Sequence, residues 1–203
     1  MEFGEYREVA ALNERLRRVL SMFRRVAAHM AAHRRNSDES VLHLSGRIGA
    51  IGRAVLAPVS FDGMDLELLV RDELLLQVAH PDRFSISGTD VHLVPKSAEV
   101  MSLVIHELAI NAVKYGALCQ LGATIRVAWE IERKFGERIL RFEWLEAGVR
   151  MSVVGPSARG FGFELVERLI ARELKGKGAM TFLADGVRCR IQIPLQDPQP
   201  RHE

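Results

Sequence analysis

The sequence predicts an α+β protein in which an N-terminal pair of helices precedes helices layered on a mixed sheet. Apolar residues recur at intervals of three and four from Val9 to Met30, which is the spacing of an amphipathic helix. Apolar and polar residues alternate strictly from Ile125 to Ile131, which indicates a half-buried strand. After the break from Pro58 to Gly63, the pattern reads α, β, β, α, β, β, α, β, β, so both element types share one domain.

The N-terminal part is predicted to be a helical hairpin. Asn36-Ser37-Asp38 supplies turn and capping chemistry after the first helix, and a second helix runs from about Glu39 to Leu56 before Pro58. Such a hairpin cannot bury both apolar stripes alone, so it should dimerise into a four-helix bundle or fold back on the rest of the chain. Residues 1–58 are therefore expected to form a dimerisation domain.

The remainder, residues 61–195, is expected to form the second domain, and the polar residues 196–203 a disordered tail. Its helices are predicted from Asp65 to Val78, Pro95 to about Tyr115 and Phe161 to about Leu174. Its strands are predicted over Phe84–Ser87, Val91–Val94, Ile125–Ile131, Arg138–Leu145, Met180–Ala184 and Val187–Ile193. Asp185-Gly186 is the expected hairpin turn between the last two strands.

Composition excludes several classes of protein. The formal charge of +2 gives no reason to invoke nucleic acid or anionic lipid as a partner. The two cysteines, Cys119 and Cys189, are too few for a disulfide framework and fit a reducing compartment. The chain has no apolar leader and no membrane-length apolar run. We expect a cytoplasmic protein without its own membrane span.

The most informative segment runs from His106 to Leu118. On a helix Glu107, Asn111 and Lys114 are spaced i, i+4, i+7, so a carboxylate, an amide and an ammonium lie on one face. That face suits a metal-bound triphosphate, because an amide oxygen can hold Mg²⁺ and a lysine can offset phosphate charge. The alternative is a solvated helix face, and the spacing alone does not decide between the two.

This segment resembles the N box of GHKL ATPases, in the form found in the HWE histidine kinases. The HWE family is named for a His in the N box and a Trp-x-Glu in the first glycine box, which here are similar to His106 and Trp144-Leu145-Glu146. Gly160-Phe161-Gly162 follows the loop, as in the family. The resemblance extends from Leu12 to about Leu195, nearly the whole chain.

The resemblance implies a Bergerat α/β sandwich that binds ATP and Mg²⁺ between the N-box helix and a lid over residues 147–159. Glu107 would be the acid/base residue and Asn111 the Mg²⁺ ligand, while His106 is either catalytic or a structural histidine. Glu146 would accept a hydrogen bond from the adenine amino group, and Trp144 either packs in the core or acts directly. The other residues implied to border the nucleotide or its phosphates are Lys114, Tyr115, Gly148, Gly160, Phe161 and Gly162.

The first departure from the family lies after Glu146. The usual Glu-x-Gly-Gly-Pro is here Glu146-Ala147-Gly148-Val149-Arg150, which keeps one glycine and loses the Gly-Pro step. A β-branched residue at a position adapted to glycine would disfavour a left-handed conformation. The geometry of the lid, and with it nucleotide binding, therefore depends on how Val149 is accommodated.

The larger departure is Glu14, which stands where the family carries its phosphorylated histidine. Leu12, Asn13 and Arg15 match the family motif on either side, and Arg18 replaces the family's Asn. A carboxylate has no nucleophilic ring nitrogen and repels the γ-phosphate, so autophosphorylation at this position should be absent. His29 and His33 lie on the same helix, but His29 is roughly 22 Å beyond Glu14 at about 1.5 Å per residue.

The preferred interpretation is a dimeric, nucleotide-binding pseudokinase of two-component signalling. Its partners would be the receiver domains of response regulators or other histidine kinases, which would dock on the arginine-rich helix face that contains Arg17, Arg18 and Arg25. The alternative is an active enzyme, either a kinase that phosphorylates a histidine in trans or a slow ATPase. A purely structural helical adaptor is a third possibility.

Overall fold

The computed structural model describes residues 45–53, 63–78, 81–134, 136–150 and 165–196. The chain divides into two compact units, Met1–Ala57 and Pro58–Glu203. In the first unit a helix covers residues 45–53, inside the predicted second helix, and buries Arg47, Ala50 and Ile51 at i, i+3, i+4. The predicted first helix lies outside the described residues, and so do Glu14, Arg17, Arg18 and Arg25.

The second unit contains three helices and seven strands among its described residues. The helices are α1 Leu66–Gln77, α2 Pro95–Lys114 and α3 Ile170–Leu174, and a π-helical turn over Leu165–Leu169 leads into α3. The strands are β1 Met64–Asp65, β2 Phe84–Gly88, β3 His92–Leu93, β4 Thr124–Lys134, β5 Glu137–Ala147, β6 Lys177–Leu183 and β7 Gly186–Leu195. Short 3₁₀ turns lie at Pro81–Arg83 and Ala117–Cys119.

Five strands form a mixed sheet in the order β2-β4-β5-β7-β6. β2 runs parallel to β4, whereas the other neighbours are antiparallel. The mixed α+β architecture and the β6–β7 hairpin are confirmed, but the turn is Ala184-Asp185, one residue before the predicted pair, because Gly186 already pairs with Leu183. β3 is not a neighbour of β2 in this sheet, because it pairs instead with β1, a two-residue strand that the sequence pattern did not predict.

Helix α1 follows its prediction closely. Asp65 caps it, since Oδ1 accepts hydrogen bonds from the backbone N–H groups of Glu67 at 2.7 Å and Leu68 at 3.4 Å. The predicted inward residues are buried, and burial of each stabilises the fold by about 1.5–3 kcal/mol. The buried residues of the helix are Leu66, Leu69, Val70, Glu73 and Leu74.

Helix α2 is the central helix of this unit. Pro95 begins it, and every residue from Val100 to Ala109 is buried, so its middle turns contact protein on all sides. The inward residues of the sheet complete the core; they are Ile125, Val127, Trp129, Leu140, Phe142 and Trp144. No helix within the described ranges is both long and apolar enough to cross a membrane.

Candidate functional site

Glu146 connects the two most informative sequence motifs. It lies near the end of β5 on the inner face of the sheet and is only 3% exposed. Its Oε2 accepts a hydrogen bond from the backbone N–H of Ala117 at 2.7 Å, and its Oε1 accepts one from the indole Nε1 of Trp144 at 3.1 Å. The fold therefore brings Trp-x-Glu to the C-terminal end of the N-box helix.

The environment of Glu146 is unusual for a carboxylate because the Ala117 N–H and the Trp144 indole, which donate to it, are both neutral. Burial raises the pKa of Glu146, while the hydrogen bonds from Ala117 and Trp144 lower it in part. A carboxylate has about four lone-pair sites, and these two donors occupy two of them. Glu146 can therefore accept a further hydrogen bond from a ligand.

Gly116 allows this close approach. A Cβ at Gly116 would overlap Glu146 Oε2 and would lie 2.9 Å from the Cα of Ala112. Glycine is therefore required between α2 and Ala117 because any side chain would displace the carboxylate. This is the physical reason for the glycine in the Lys-Tyr-Gly-Ala-Leu part of the motif.

The polar face of α2 changes from buried to exposed toward the helix end. Glu107 is 4% exposed, Asn111 and Lys114 are half-buried, and Tyr115 is 72% exposed just after the helix. Glu107, Asn111 and Lys114 are helical, as predicted, so their spacing places them along one side of α2. The last two turns of the helix thus offer polar groups just before the turn whose Ala117 N–H binds Glu146.

His106 lies in a buried pair with Glu73. Its Nδ1 is 2.7 Å from Oε1 of Glu73, and both side chains are at most 5% exposed. The same Oε1 accepts a 3.5 Å hydrogen bond from Gln77 Nε2. The imidazole thus connects α2 to α1, which matches the structural alternative for His106.

Two residues at this site were missed from the sequence, Glu73 and Arg83. Glu73 lies within the apolar stripe of α1, four residues after Leu69, and a charge at that position was a signal of a buried partner. Arg83 donates to the carbonyl oxygens of Ala117 and Gln120 at 2.6 Å and of Ala123 at 3.1 Å. These contacts fix the turn that carries the Ala117 N–H.

Between Ala147 and Arg150 the only positive φ belongs to a glycine. Gly148 has a φ of +76°, whereas among the described non-glycine residues only Lys175 has a positive φ. Val149 is 2% exposed and donates its N–H to the carbonyl of Asp185 at 2.8 Å. The concern that Val149 would need a left-handed conformation is therefore removed.

Arg150 is the last described residue of this loop. Its backbone N–H donates to Gln120 Oε1 at 2.8 Å, and its carbonyl accepts from Gln120 Nε2 at 3.4 Å, while its side chain is exposed. Gln120 therefore holds the start of the loop against the turn after α2. The predicted phosphate-binding residues Gly160, Phe161 and Gly162 lie outside the described residues.

Several known proteins resemble this chain, although no family model matches it. A blue-light-activated histidine kinase of Brucella anthropi is 34% identical over 113 residues, which are 56% of this chain and 23% of that protein. Blue-light-activated histidine kinase 1 of Erythrobacter litoralis is 28% identical over 207 aligned residues, 95% of this chain and 54% of that protein. The chain thus spans between about a quarter and about half the length of these curated relatives.

The fold also matches solved structures of histidine kinases. The blue-light-activated histidine kinase EL346 of Erythrobacter litoralis aligns with 91% of this chain and 60% of its own, with a TM-score of 0.59 and 16% identity. The kinase domain of the same protein aligns over 89% of this chain and 95% of its own, with a TM-score of 0.53 and 15% identity. In sequence the chain is thus similar to blue-light-activated histidine kinases, and its fold is that of a histidine kinase domain.

Proposed function

We propose that this chain is a two-component signalling protein that binds Mg-ATP but lacks the usual phosphoacceptor histidine. The observation that carries the nucleotide site is the 2.7 Å hydrogen bond between Ala117 N–H and Glu146, because it joins the two motifs into one surface. The surface consists of the last two turns of α2, the turn from Gly116 to Ala123, and Glu146. Gly116 lets Glu146 reach the Ala117 N–H, and the remaining acceptor capacity of Glu146 fits the amino group of an adenine base.

Each polar residue of this surface has a distinct task in the proposal. Glu146 accepts from the amino group of adenine, and Tyr115 flanks the nucleotide. Asn111 supplies an amide oxygen to Mg²⁺, and Lys114 offsets phosphate charge. Bound Mg-ATP would supply a transferable γ-phosphoryl group to the site.

Glu107 is the acid/base candidate, while we assign His106 to positioning. Neighbouring residues of a helix point about 100° apart, since there are about 3.6 residues per turn. His106 points toward α1, where it pairs with Glu73 at 2.7 Å. Glu107 shares the side of Asn111 and Lys114 instead, so its carboxylate is the one that can take a proton beside the phosphates.

Glu14 is the reason for proposing a pseudokinase. The position that would carry the histidine nucleophile carries a carboxylate, so the chain would keep a binding site and lose one chemical step. Function would then rest on binding of response-regulator receiver domains, whose acidic phosphorylation pocket complements Arg17, Arg18 and Arg25, or of another histidine kinase. A homodimer through residues 1–58 and a cytoplasmic location complete the proposal.

The second candidate is an active enzyme that phosphorylates a histidine in trans or hydrolyses ATP slowly. The observation in its favour is that Glu107, Asn111 and Lys114 are all retained. Incubation with γ-labelled ATP and added receiver or kinase partners separates the two. Acid-labile label on this chain or on a partner histidine supports the enzyme, and its absence while ATP is bound supports the pseudokinase.

Calorimetric titration with Mg-ATP tests the nucleotide site itself. Wild type should bind, and Asn111→Ala should bind at least about tenfold more weakly because the amide is lost from the metal. Gln192→Ala is the matched control, because Gln192 is an exposed amide on β7. A wild-type chain that does not bind Mg-ATP contradicts the proposal, and so does equal weakening by both variants.

A further inference from the structure

We propose that Trp144 is a positioning residue whose indole N–H orients Glu146 and thereby makes the site select adenine over bases with a carbonyl at the same position. This inference rests on the proposed nucleotide site. Trp144 is completely buried, with 0% exposure, and its one polar atom donates a hydrogen bond to Glu146. The sequence left open whether Trp144 packs or acts directly, and the geometry points to a third role.

The position of Trp144 on the strand makes the contact possible. Residues i and i+2 of a strand point to the same face, so the indole and the carboxylate stand side by side on the inner face of β5. Phe142, two residues earlier, is also buried on this face and shows that an aromatic without a donor suffices for packing there. What tryptophan adds over phenylalanine is the hydrogen bond of 3.1 Å to Oε1.

Two donors on two different oxygens fix the plane of a carboxylate. Ala117 N–H holds Oε2 and Trp144 holds Oε1, so the glutamate cannot rotate about its last bond without breaking one contact. The Ala117 N–H is itself fixed, because Arg83 donates to three carbonyl oxygens of the same turn. The remaining lone pairs of Glu146 therefore point in a defined direction.

A fixed acceptor discriminates between purines. The exocyclic amino group of adenine donates to such a carboxylate, whereas the carbonyl of hypoxanthine places one acceptor against another and leaves both unpaired. A carboxylate released from Trp144 could rotate away from that carbonyl. Loss of the indole N–H should therefore weaken ATP binding selectively and relax the preference against ITP.

The test compares the dissociation constants of Mg-ATP and Mg-ITP for wild type and Trp144→Phe. We expect ATP affinity to fall about tenfold, because the carboxylate that accepts from adenine is no longer held in one orientation, while ITP affinity stays within about twofold. Trp129→Phe is the matched control, because Trp129 is the only other tryptophan and its Nε1 donates at 2.8 Å to the carbonyl of Thr89 instead. This control should leave both affinities unchanged.

The outcomes separate the inference from the proposed function. If wild type binds no nucleotide, the proposed site is wrong. If wild type prefers ATP and Trp144→Phe keeps the same ATP/ITP ratio, the site stands and the role of Trp144 is wrong. If Trp144→Phe does not fold, NMR spectra of wild type test the role of Trp144 instead. The spectrum of Trp129→Phe lacks the Trp129 indole N–H resonance and so assigns the remaining one to Trp144. ATP should shift the Trp144 resonance and leave that of Trp129 in place, and an unmoved Trp144 resonance contradicts the inference.

Discussion

Glu143 and Glu146 lie on the same strand but face opposite sides of the sheet, and their surroundings differ in kind. Glu143 is partly exposed and lies within 4 Å of three arginines: Arg190 at 2.8 Å, Arg188 at 3.6 Å and Arg126 at 3.9 Å. Glu146 is 3% exposed, and the Ala117 N–H and Trp144 indole that donate to it are neutral. Glu143 is paired with cations at the solvent-exposed surface, whereas Glu146 is buried and accepts from neutral donors.

The difference indicates what each carboxylate is for. An exposed ion pair contributes little to stability and tolerates replacement. A buried carboxylate is costly to keep, which is why such groups concentrate at functional sites. Glu73 is a third case, because it is buried but paired with His106 at 2.7 Å. Changes to the surroundings of these three carboxylates should therefore affect stability and binding to different extents, most for the buried ones.

The largest effect on stability is expected for His106→Ala. It leaves the buried Glu73 carboxylate without its imidazole, and loss of one partner of a buried pair costs about 3–5 kcal/mol. Denaturant unfolding of the variant measures this loss. His106→Gln, which keeps a donor, should recover part of the free energy. An unchanged unfolding free energy in His106→Ala would contradict this positioning role of His106.

A smaller but more local effect is expected for Gly116→Ala. The added Cβ overlaps Glu146 Oε2, so the carboxylate must move, at a cost of about 1–3 kcal/mol, and Mg-ATP binding should weaken with it. Gly52→Ala is the control, because Gly52 is helical and a Cβ there meets no atom within 4 Å. That control should stabilise its helix by about 0.5–1 kcal/mol. Unchanged ATP affinity in Gly116→Ala would separate Glu146 from the nucleotide.

Acidification should reduce the preference for ATP over ITP at a pH where exposed glutamates are still ionised. Burial raises the pKa of Glu146, so it takes up a proton at a higher pH than an exposed carboxyl does. A protonated oxygen becomes a donor and competes with Trp144 and Ala117, which loosens the acceptor for adenine. The ATP/ITP ratio measured across mildly acidic pH should therefore fall in wild type and stay flat in Glu146→Gln.

The same shift has a definite sign for stability. A carboxyl whose pKa is raised in the folded state favours folding most below its unfolded pKa, and this contribution is lost as the pH rises through the folded pKa. The unfolding free energy of wild type relative to Glu146→Gln should thus decrease with rising pH over that interval. An increase would mean that the hydrogen bonds outweigh burial.

The smallest effect is expected for Arg190→Ala on the outer face. Its ion pair with Glu143 is exposed and shared with Arg188 and Arg126, so its removal should change the unfolding free energy by about 0–1 kcal/mol. The difference should shrink in high salt because exposed pairs are screened. A loss as large as that of His106→Ala would invalidate the comparison between the two faces.

Periodicity and turn chemistry predicted most of this fold, because they are local properties of the chain. The cap at Asp65 and the alternation of β4 are confirmed, and the β6–β7 hairpin is confirmed with its turn one residue earlier than predicted. Contacts across long separations were not predictable in this way. Arg83 donates hydrogen bonds to carbonyls 34 to 40 residues away, and Ala117 donates one to Glu146, 29 residues away. No local sequence pattern predicts such contacts.

The sequence named candidate residues for the site but did not predict the hydrogen bonds among them. The motif pointed to Glu146 as an acceptor for a ligand, but only the fold shows that Trp144 and Ala117 already occupy two of its lone pairs. Likewise, the motif grouped His106 with Glu107, although the imidazole turns toward Glu73 on another helix. Side-chain direction depends on packing, which a motif does not specify.

The most direct test of the proposed ATP site and of the proposed loss of the acceptor is restoration of the histidine. Glu14→His combined with Arg18→Asn should be incubated with γ-labelled Mg-ATP beside wild type. The account predicts acid-labile phosphate on the double variant and none on wild type. A double variant that binds Mg-ATP but remains unlabelled, or a wild type that becomes labelled, would contradict it.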